Sequence, residues 1–595
     1  MCGLVGICGA DDASAARVAA LLQAMAHRGP DDAGTWSAEG VVLGHRRLEI
    51  QDLTRSSHQP ALCPDGRILL YNGEIYNHAD LTPVACASDT LALCTVPPLD
   101  PAALRGMFAM ALWDPATHRL ELTRDRFGIK PLYYAAYRDR IAFASYARSA
   151  AALSDYGSLD PAAVASFLRF GSVQGPRSMF TGVREVPPGS TVAWQAGAPP
   201  TAEPFARFPE RPPRRTRKQV EQALRESVRV HTLSDVPVAV FLSAGVDSTL
   251  IAALAADAEV EVSAITLGLP GHGLNEAAEA AKTARALGLP HEVLEIADED
   301  IDFDAFFASM DQPSIDGLNT YLVAQAASQA GFRVALSGLG ADELFAGYSL
   351  FRRLPALATA ARVLPNGARL TILRRLGFAH KATEMVLAGA DVSSLHEALR
   401  ALWSVEEVLS LTGQRPAASG LDAGTGPVLD QITRLELSSY TRSTLLRDAD
   451  VFGMAHSVEI RTPFLDHVVL DAALGYSHWS RAAPTKRLLK GMLAGRGVDH
   501  VLRRKKTGFV LPYAEWLRGP LASRVAKLHG GPVSDLLVGA GAAGVLAALS
   551  SLPTMHLWSL VVLDAWLRQE GERRSELGPQ AGQPMRLVPA DSRAR

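Results

Sequence analysis

Cysteine is scarce: the 595 residues contain five, at positions 2, 8, 63, 86 and 94, with no C-x-x-C pair among them. That scarcity excludes a disulfide framework and a zinc module of the usual spacing. An excess of one charge is also missing. The 59 basic and 62 acidic side chains leave a formal net charge of −3, so no global basic field draws the chain to nucleic acid or anionic lipid. The most lipid-like stretch, 536–567, is broken by Pro553, His556 and Asp564, and reads as packed core helices rather than a membrane span. The opening residues Met1 to Ile7 lack a basic region ahead of their apolar run, and Asp11-Asp12 follow almost at once. No signal peptide is expected, and a reducing cytoplasm is the expected compartment. No Gly-Lys dipeptide occurs anywhere, which removes a Walker-type phosphate loop.

What remains is a chain long enough for two or more domains, 48% hydrophobic and 20% charged. Residues 1 to 195 read as β-rich, with short apolar runs at 41–43, 68–71, 107–113 and 141–143 separated by Gly, Asn and Asp turns, the spacing of stacked sheets. A Pro-, Ala- and Arg-rich stretch at 196–215 has little to bury and is expected as a linker. From 216 to 570 the pattern changes. Helical spacing at 219–230, a buried-strand run at 236–242, a helix at 248–256, a strand at 261–267 and another at 333–336 indicate a parallel sheet covered by helices. From 349 the reading is mostly helical, and the Pro/Gly-rich tail 571–595 is expected to be disordered.

Two segments carry nucleotide chemistry. Val238 to Ser248 runs from an apolar strand through Ser243-Ala244-Gly245 into a helix. Small side chains there let backbone N–H groups approach an anion at a positive helix end, and Asp247 fits best as a ligand for Mg²⁺ on phosphates. Val334 to Glu343 repeats the pattern of strand, Ser-Gly turn and acidic residue. In a doubly wound sheet both turns lie at carboxyl strand ends, where one nucleotide can meet them. By spacing alone each could equally be a tight connection.

SAGVDS at 243–248 and SGLGADELFAGY at 337–348 resemble the ATP-pyrophosphatase loops of asparagine synthetases. DVPVAVFLS at 235–243, SVEIRTPFLDH at 457–467, RRKKTGF at 503–509 and HLWSLVVLDAWL at 556–567 follow in the family's order. The resemblance implies that ATP adenylates a carboxylate with release of pyrophosphate, and that ammonia then displaces AMP. It places Leu242, Leu267, Ser337 and Gly338 around adenosine, Ser243, Gly245, Asp247 and Ser248 on pyrophosphate, and Asp247 and Asp342 on Mg²⁺. Lys486 resembles the family's phosphate-contacting lysine; from spacing alone it reads equally as a solvated basic helix face. Leu339 stands where many relatives carry an acidic residue or Tyr, and Ala244 replaces a Gly.

The N-terminal half carries a second resemblance. CGLVGI at 2–7, HRGPDDAG at 27–34, LGHRRLEIQD at 43–52, YNGEIYNH at 71–78, SDT at 88–90 and RDRFGIKPLYY at 124–134 are similar to class II glutamine amidotransferase domains. By the resemblance, Cys2, made N-terminal by loss of Met1, would attack glutamine's side-chain amide. Its own α-amine, with an ordinary pKa of ~7.7–8.0, would be the base. Arg47 would pair with the glutamine carboxylate, Glu74 and Asp89 would hold its ammonium, and Asn72 with the Gly73 N–H would form an oxyanion hole. Asn72-Gly73 also reads as a hairpin turn. The segment between Asn77 and Ser88 is shorter than usual, Leu91 follows SDT in place of an acid, and Tyr146 replaces a frequent Glu. Cys8, Cys63, Cys86 and Cys94 read as structural.

The expected protein is therefore a four-layer αββα Ntn-hydrolase sandwich followed by an α/β doubly wound synthetase domain with a helical C-terminal part. It would be a glutamine-dependent amide synthetase using ATP and Mg²⁺, with aspartate as default acceptor and an apolar ammonia tunnel between its sites. A homodimer with no nucleic-acid or membrane partner is the expected state. Other readings are the same chemistry on a non-aspartate carboxylate, amidating or cyclising it; a stand-alone N-terminal-nucleophile hydrolase; and a non-catalytic scaffold. Asp247, Asp342 and Cys2 disfavour the last two.

Overall fold

A computed structural model describes residues 2–82, 86, 88–96, 99–154, 157–210, 212–258, 260–270, 276–477, 486–504 and 511–576. Among these residues twelve strands build the N-terminal half: β1 Gly3–Cys8, β2 Asp32–Ala38, β3 Val41–Arg47, β4 Ala61–Leu62, β5 Ile68–Ile75, β6 Gly106–Asp114, β7 Arg119–Arg124, β8 Tyr133–Tyr137, β9 Arg140–Ala144, β10 Val183–Glu185, β11 Ser190–Gln195 and β12 Thr201–Pro204. They form two antiparallel sheets, ordered β10-β8-β9-β1-β3-β2 and β12-β11-β7-β6-β5-β4. Side chains alternate across each strand. Leu4, Leu43 and Phe143 of the first sheet meet Leu70, Ala111 and Leu122 of the second in a shared core. Their neighbours Val5, Ile7 and Val42 face outward onto Val18 and Leu22 of the helix Ser14–Ala24 and Ala147 and Ala150 of the helix Ala147–Leu153. On the far side Leu69, Tyr71 and Met110 pack on Leu93 and Cys94 of the helix Asp89–Thr95. The four layers expected from sequence are thus present, with the outer helical layer over the second sheet reduced to short helices. In that layer the Cys63 and Cys94 thiols lie 2.8 Å apart, unbridged.

The C-terminal half is built on five parallel strands, β13 Val238–Phe241, β14 Val262–Gly268, β15 His291–Glu295, β16 Val334–Leu336 and β17 Glu459–Arg461, in the order β15-β14-β13-β16-β17. Strand order reverses between β13 and β16, so the crevice at their carboxyl ends is the place where an open α/β sheet binds ligands. The helix Arg217–His231 opens this half with a capping box from Thr216 and Gln219. Beyond 349 the chain is mostly helical, ending in a helix Thr554–Glu576.

Two boundaries differ from expectation. β12 pairs with β11 inside the stretch expected as linker. The last helix continues through 571–576, inside the expected tail; its Leu560, Val562 and Trp566 are anchored in the core. Residues 577–595 lie outside the described residues, as do Lys505 and Lys506 of RRKKTGF. No helix among the described residues is long and apolar enough to cross a membrane.

The halves share one interior. Leu48, Ile50, Tyr76 and Met107 join Leu224, Val240, Leu336 and Phe464 in a single apolar cluster. Buried ion pairs cross the same boundary: Arg28 Nη1 donates to Asp450 Oδ2 at 2.7 Å, with Arg28 wholly buried. Removing one partner of such a pair strands the other's charge away from water, at a cost of about 3–5 kcal/mol. Asp450→Ala is therefore expected to lower the unfolding free energy by about 3–5 kcal/mol, read as a clearly lower urea midpoint. Arg217→Ala, which breaks the exposed pair to Glu221, should leave the midpoint nearly unchanged. Equal midpoints for the two variants would refute the assignment.

Candidate functional site

The first cluster forms where β1, β3 and β5 converge. The pairing Gly3↔Arg46 places Cys2 beside Arg47. Cys2 is buried, and its backbone N–H donates to Asn72 Oδ1 at 2.8 Å. Because the carbonyl branch of Asn72 faces that donor, its Nδ2 is the other branch, and this amide is buried with no hydrogen-bond partner among the described residues. Buried polar groups are nearly always satisfied in folded proteins, so an orphaned donor next to a thiol is informative. Gly73 follows at φ +149°, and a Cβ there would strike the Met107 carbonyl. Only glycine lets β5 lie this close to β6.

Burial pushes the Cys2 thiol up. The positive charge at the amino terminus, a hydrogen bond from the Leu48 backbone and Arg47 pull the other way. Arg28 Nε donates to the Cys2 carbonyl at 3.1 Å, so the arginine that crosses to Asp450 also fixes the backbone of Cys2.

The residues expected to hold glutamine are brought together, but each is already engaged. Arg47 donates to the Thr54 carbonyl at 2.8 Å, to the Asp52 carbonyl and to Glu49 at 3.1 Å, so its guanidinium anchors the loop 49–54. Glu74 accepts from Gln51 Nε2 at 2.6 Å and pairs with Arg461 at 3.1 Å, across the domain boundary. Burial drives the Glu74 carboxyl well up, and Arg461 opposes it. Asp89 accepts from the Tyr71 hydroxyl at 2.7 Å and from the backbone of Ile75 and Thr90; burial raises its pKa against these bonds.

The second cluster lies at the switch point of the parallel sheet. After β13 the chain turns through Ser243 and Gly245 into the helix Val246–Ala256; Ser243 and Ser248 hydroxyls are 2.9 Å apart, and the Gly245 N–H donates to Ser243 Oγ at 3.1 Å. After β16, Gly338 packs directly on this turn: a Cβ would lie 3.0 Å from the Ser248 nitrogen and 3.1 Å from Asp247 Cβ. The two acidic loops are therefore in contact. The Leu242 side chain is buried, and its carbonyl accepts from the Thr266 hydroxyl at 2.7 Å. Leu267 is likewise buried at the end of β14.

Lys486 links the loops. Its Nζ meets Asp247 Oδ2 at 2.5 Å and also Asp342 Oδ1. Burial works against the ammonium, but the two carboxylates outweigh it and hold the lysine above its ordinary pKa. Gly347 completes the fit, since a side chain there would run into Asp342 and Lys486. This geometry removes the solvated-face reading of Lys486. Two carboxylates converging on one cation position are a suitable oxygen pair for Mg²⁺, which takes one or two carboxylates and completes its shell with phosphates and water. Among the described residues no group of three or more potential ligand side chains forms a closed metal cage.

Sequence reasoning did not single out Arg28, Asp450, Glu459 and Arg461, although all but Asp450 lie inside quoted motifs. It also missed Glu276, which accepts from the Ala244 N–H at 3.3 Å and pairs with Arg504 at 3.1 Å. Only their contacts across the fold distinguish these residues from ordinary surface charges.

Comparison with known proteins agrees with this arrangement. Residues 1–205 match the glutamine amidotransferase domain and residues 219–568 match asparagine synthase. The chain is 30% identical to "Asparagine synthetase [glutamine-hydrolyzing] 1" of Bacillus subtilis, over 89% of this chain and 90% of that one. It is 27% identical to "Amidase chyE" of Penicillium rubens, over 85% and 86% of the two chains, and 29% identical to "Asparagine synthetase B [glutamine-hydrolyzing]" of Escherichia coli, over 56% and 62%. A buried thiol beside an unpartnered amide and a lysine clamped between two acidic loops thus occur on a chain that belongs to the asparagine synthase family, with an N-terminal glutamine amidotransferase domain.

Proposed function

We propose that this chain is a glutamine-dependent, ATP-consuming amide synthetase whose default acceptor is aspartate, giving asparagine. The unpartnered Asn72 amide beside Cys2 is the observation that carries the glutaminase half. With Met1 removed, the Cys2 α-amine takes the thiol proton and the sulfur attacks the glutamine side-chain carbonyl. Asn72 Nδ2 and the Gly73 N–H stabilise the oxyanion in a water-poor site, where such donors are worth most. Collapse of the tetrahedral adduct expels ammonia and leaves a glutamyl thioester; water then releases glutamate and restores the thiol. For the substrate carboxylate to reach Arg47, it has to share or displace the carbonyls of the loop 49–54.

In the second half a carboxylate oxygen of the acceptor attacks the α-phosphorus of ATP and pyrophosphate leaves. Ammonia then attacks the acyl carbon and AMP departs. Ser243, Gly245 and Ser248 lie at the amino end of a helix, which favours phosphate. Lys486 is held where it can offset the charge that develops on the leaving group. Asp247 and Asp342 would hold Mg²⁺, which when bound neutralises phosphate charge and orients the chain for in-line displacement. The relatives named amidases and the untitratable Leu339 favour a second reading, the same chemistry on a carboxylate other than aspartate.

Two variants test the halves separately, with glutamate, AMP and pyrophosphate measured in the presence of glutamine, ATP, Mg²⁺ and a panel of carboxylic acids. Cys2→Ala is expected to lose glutamate formation while still making amide from added ammonium; normal glutamine hydrolysis by this variant would refute the nucleophile. Lys486→Met is expected to cut AMP and pyrophosphate release by ~100–1,000-fold, the size of effect seen for a lost charge-stabilising donor, with ammonium or glutamine alike. Unchanged AMP release would remove Lys486 from the reaction.

A further inference from the structure

The chain as a whole is nearly neutral, but its charge is not evenly spread. Between Leu350 and Thr383 it carries seven Lys and Arg and no Asp or Glu. Most of this run folds as the helix Leu350–Val363, a turn through Leu364 and Pro365, and the helix Asn366–Arg375. All of it lies outside the motifs that carry the family resemblance. Two of the seven cations are spent inside the fold: Arg369 donates to the Met385 carbonyl at 3.1 Å, and Lys381 donates to that of Ala401. The other five, Arg352, Arg353, Arg362, Arg374 and Arg375, are exposed. Arg353 lies over the Phe378 ring at 5.8 Å, and among the described residues none of the five forms an ion pair.

The apolar residues of the same segment break the usual rule that a surface helix keeps its apolar stripe on the core. Leu373 is buried, and Leu370 partly so, in a cluster with Leu354, Met385 and Leu395. The stripe does not end there. Ala368, Ile372 and Leu376 follow one another at i, i+4 spacing on the next face round the helix and are exposed, as are Val363 and Leu364 in the turn before it. Val363 is 71% exposed, Leu376 63% and Ile372 44%. Arg362 stands beside Val363, and Arg375 lies one turn on from Ile372. The result is an aliphatic tip with unpaired guanidinium groups on its rim. A second copy of this chain is a poor occupant, because a two-fold interface is self-complementary and would set these arginines against their own counterparts. The C-terminal segment 577–595, with three arginines against Asp591, has the wrong sign. The charge calls for an anionic partner, and side chains that stand this far out of the surface suit a soft one. Aliphatic tips can enter the boundary between headgroups and acyl chains while arginines stay level with the phosphates. Clusters of about four to eight cations on an amphipathic helix are the pattern that binds anionic lipid.

We propose that the two-helix segment 350–376 is a docking surface for an anionic membrane, entered by Val363, Leu364, Ile372 and Leu376, with Arg362, Arg374 and Arg375 on the lipid phosphates. The contact is peripheral and reversible. It departs from the expectation of no membrane partner, because charge summed over the whole chain hides this local excess. It is independent of the synthetase reading.

Co-sedimentation of the full chain with vesicles tests it, using pure phosphatidylcholine, an equal mixture of phosphatidylcholine and phosphatidylglycerol, and that mixture at high salt. The wild type is expected to bind the mixed vesicles ~10-fold or more tighter than the neutral ones, and to lose most of that binding as salt rises. The double changes Arg374→Ser, Arg375→Ser and Ile372→Ser, Leu376→Ser should each weaken binding to mixed vesicles by ~10-fold or more. Arg217→Ser, at an exposed position on another helix, should leave it unchanged. None of these residues belongs to either candidate site, so glutamine hydrolysis in solution reports that each variant is folded; should one double variant lose it, the other decides. Absent binding of the wild type to mixed vesicles overturns the proposal, as does undiminished binding by a folded double variant or equal loss in Arg217→Ser. Two results would give the patch to a different occupant and overturn the proposal as well. One is a wild-type dimer that Ile372→Ser, Leu376→Ser splits into monomers in analytical ultracentrifugation. The other is capture by immobilised poly-glutamate, lost in Arg374→Ser, Arg375→Ser, with no vesicle binding, which would mark an acidic protein partner.

Discussion

The guanidinium of Arg461 is the constraint on which the relation between the two sites depends. It is wholly buried on β17 and donates from Nε to Glu459 at 2.6 Å, from Nη1 to the carbonyls of His231 and Leu233 at 2.8 and 2.6 Å, and pairs through Nη2 with Glu74 at 3.1 Å. Its own carbonyl accepts from the Ser337 N–H at 2.8 Å. One residue therefore touches the second acidic loop through its backbone and the strand of Asn72 and Gly73 through its side chain. A buried charge cannot trade these partners for water, so the contacts are nearly obligatory. Lys130 lies 3.8 Å from Glu459, which brings the buried group of two cations and two carboxylates close to neutrality. Such an arrangement contributes less to net stability than to register. It fixes β17 beside β16, and the sheet beside the sandwich, in one relative position.

That same charge group explains what the sequence did and did not reveal. β13, β14 and β16 are apolar runs next to small-residue turns, and the parallel sheet was legible from them. β17 reads Glu-Ile-Arg and looks like a surface segment; it is buried because its charges are paired with residues far away in the chain. β15 was missed for the opposite reason, since it is an edge strand whose side chains are mostly exposed. β12 is short, exposed and adjacent to a Pro-rich stretch, so composition favoured a linker. In each case tertiary pairing overrode local pattern.

The candidate sites were legible in a different way. The loops 243–248 and 337–342 emerge from the ends of β13 and β16, beside the switch point, because strand-turn-helix order fixes where such loops emerge. What spacing could not give is occupancy. It did not show that Arg47 is spent on the loop 49–54, that Lys486 lies between two acids rather than on a solvated face, or that Leu437–Leu446 is wound as a π-helix. The i, i+4 and i, i+5 patterns of apolar residues are too alike over ten residues to separate an α-helix from a π-helix.

Asp89 is positioned by short-range bonds at the start of a short helix. Ser88 caps this helix by accepting from the Leu91 N–H, and Ser57 Oγ is 2.6 Å from Ser88 Oγ. These bonds tie the helix start to the neighbouring loop. Asp89 then reaches the Ile75 N–H on β5 at 3.1 Å, on the same strand as Asn72, Gly73 and Glu74. A carboxylate offers about four acceptor positions, and Asp89 uses three, for Tyr71, Ile75 and Thr90. Among the described residues this leaves capacity for one further donor at the Asp89 carboxylate.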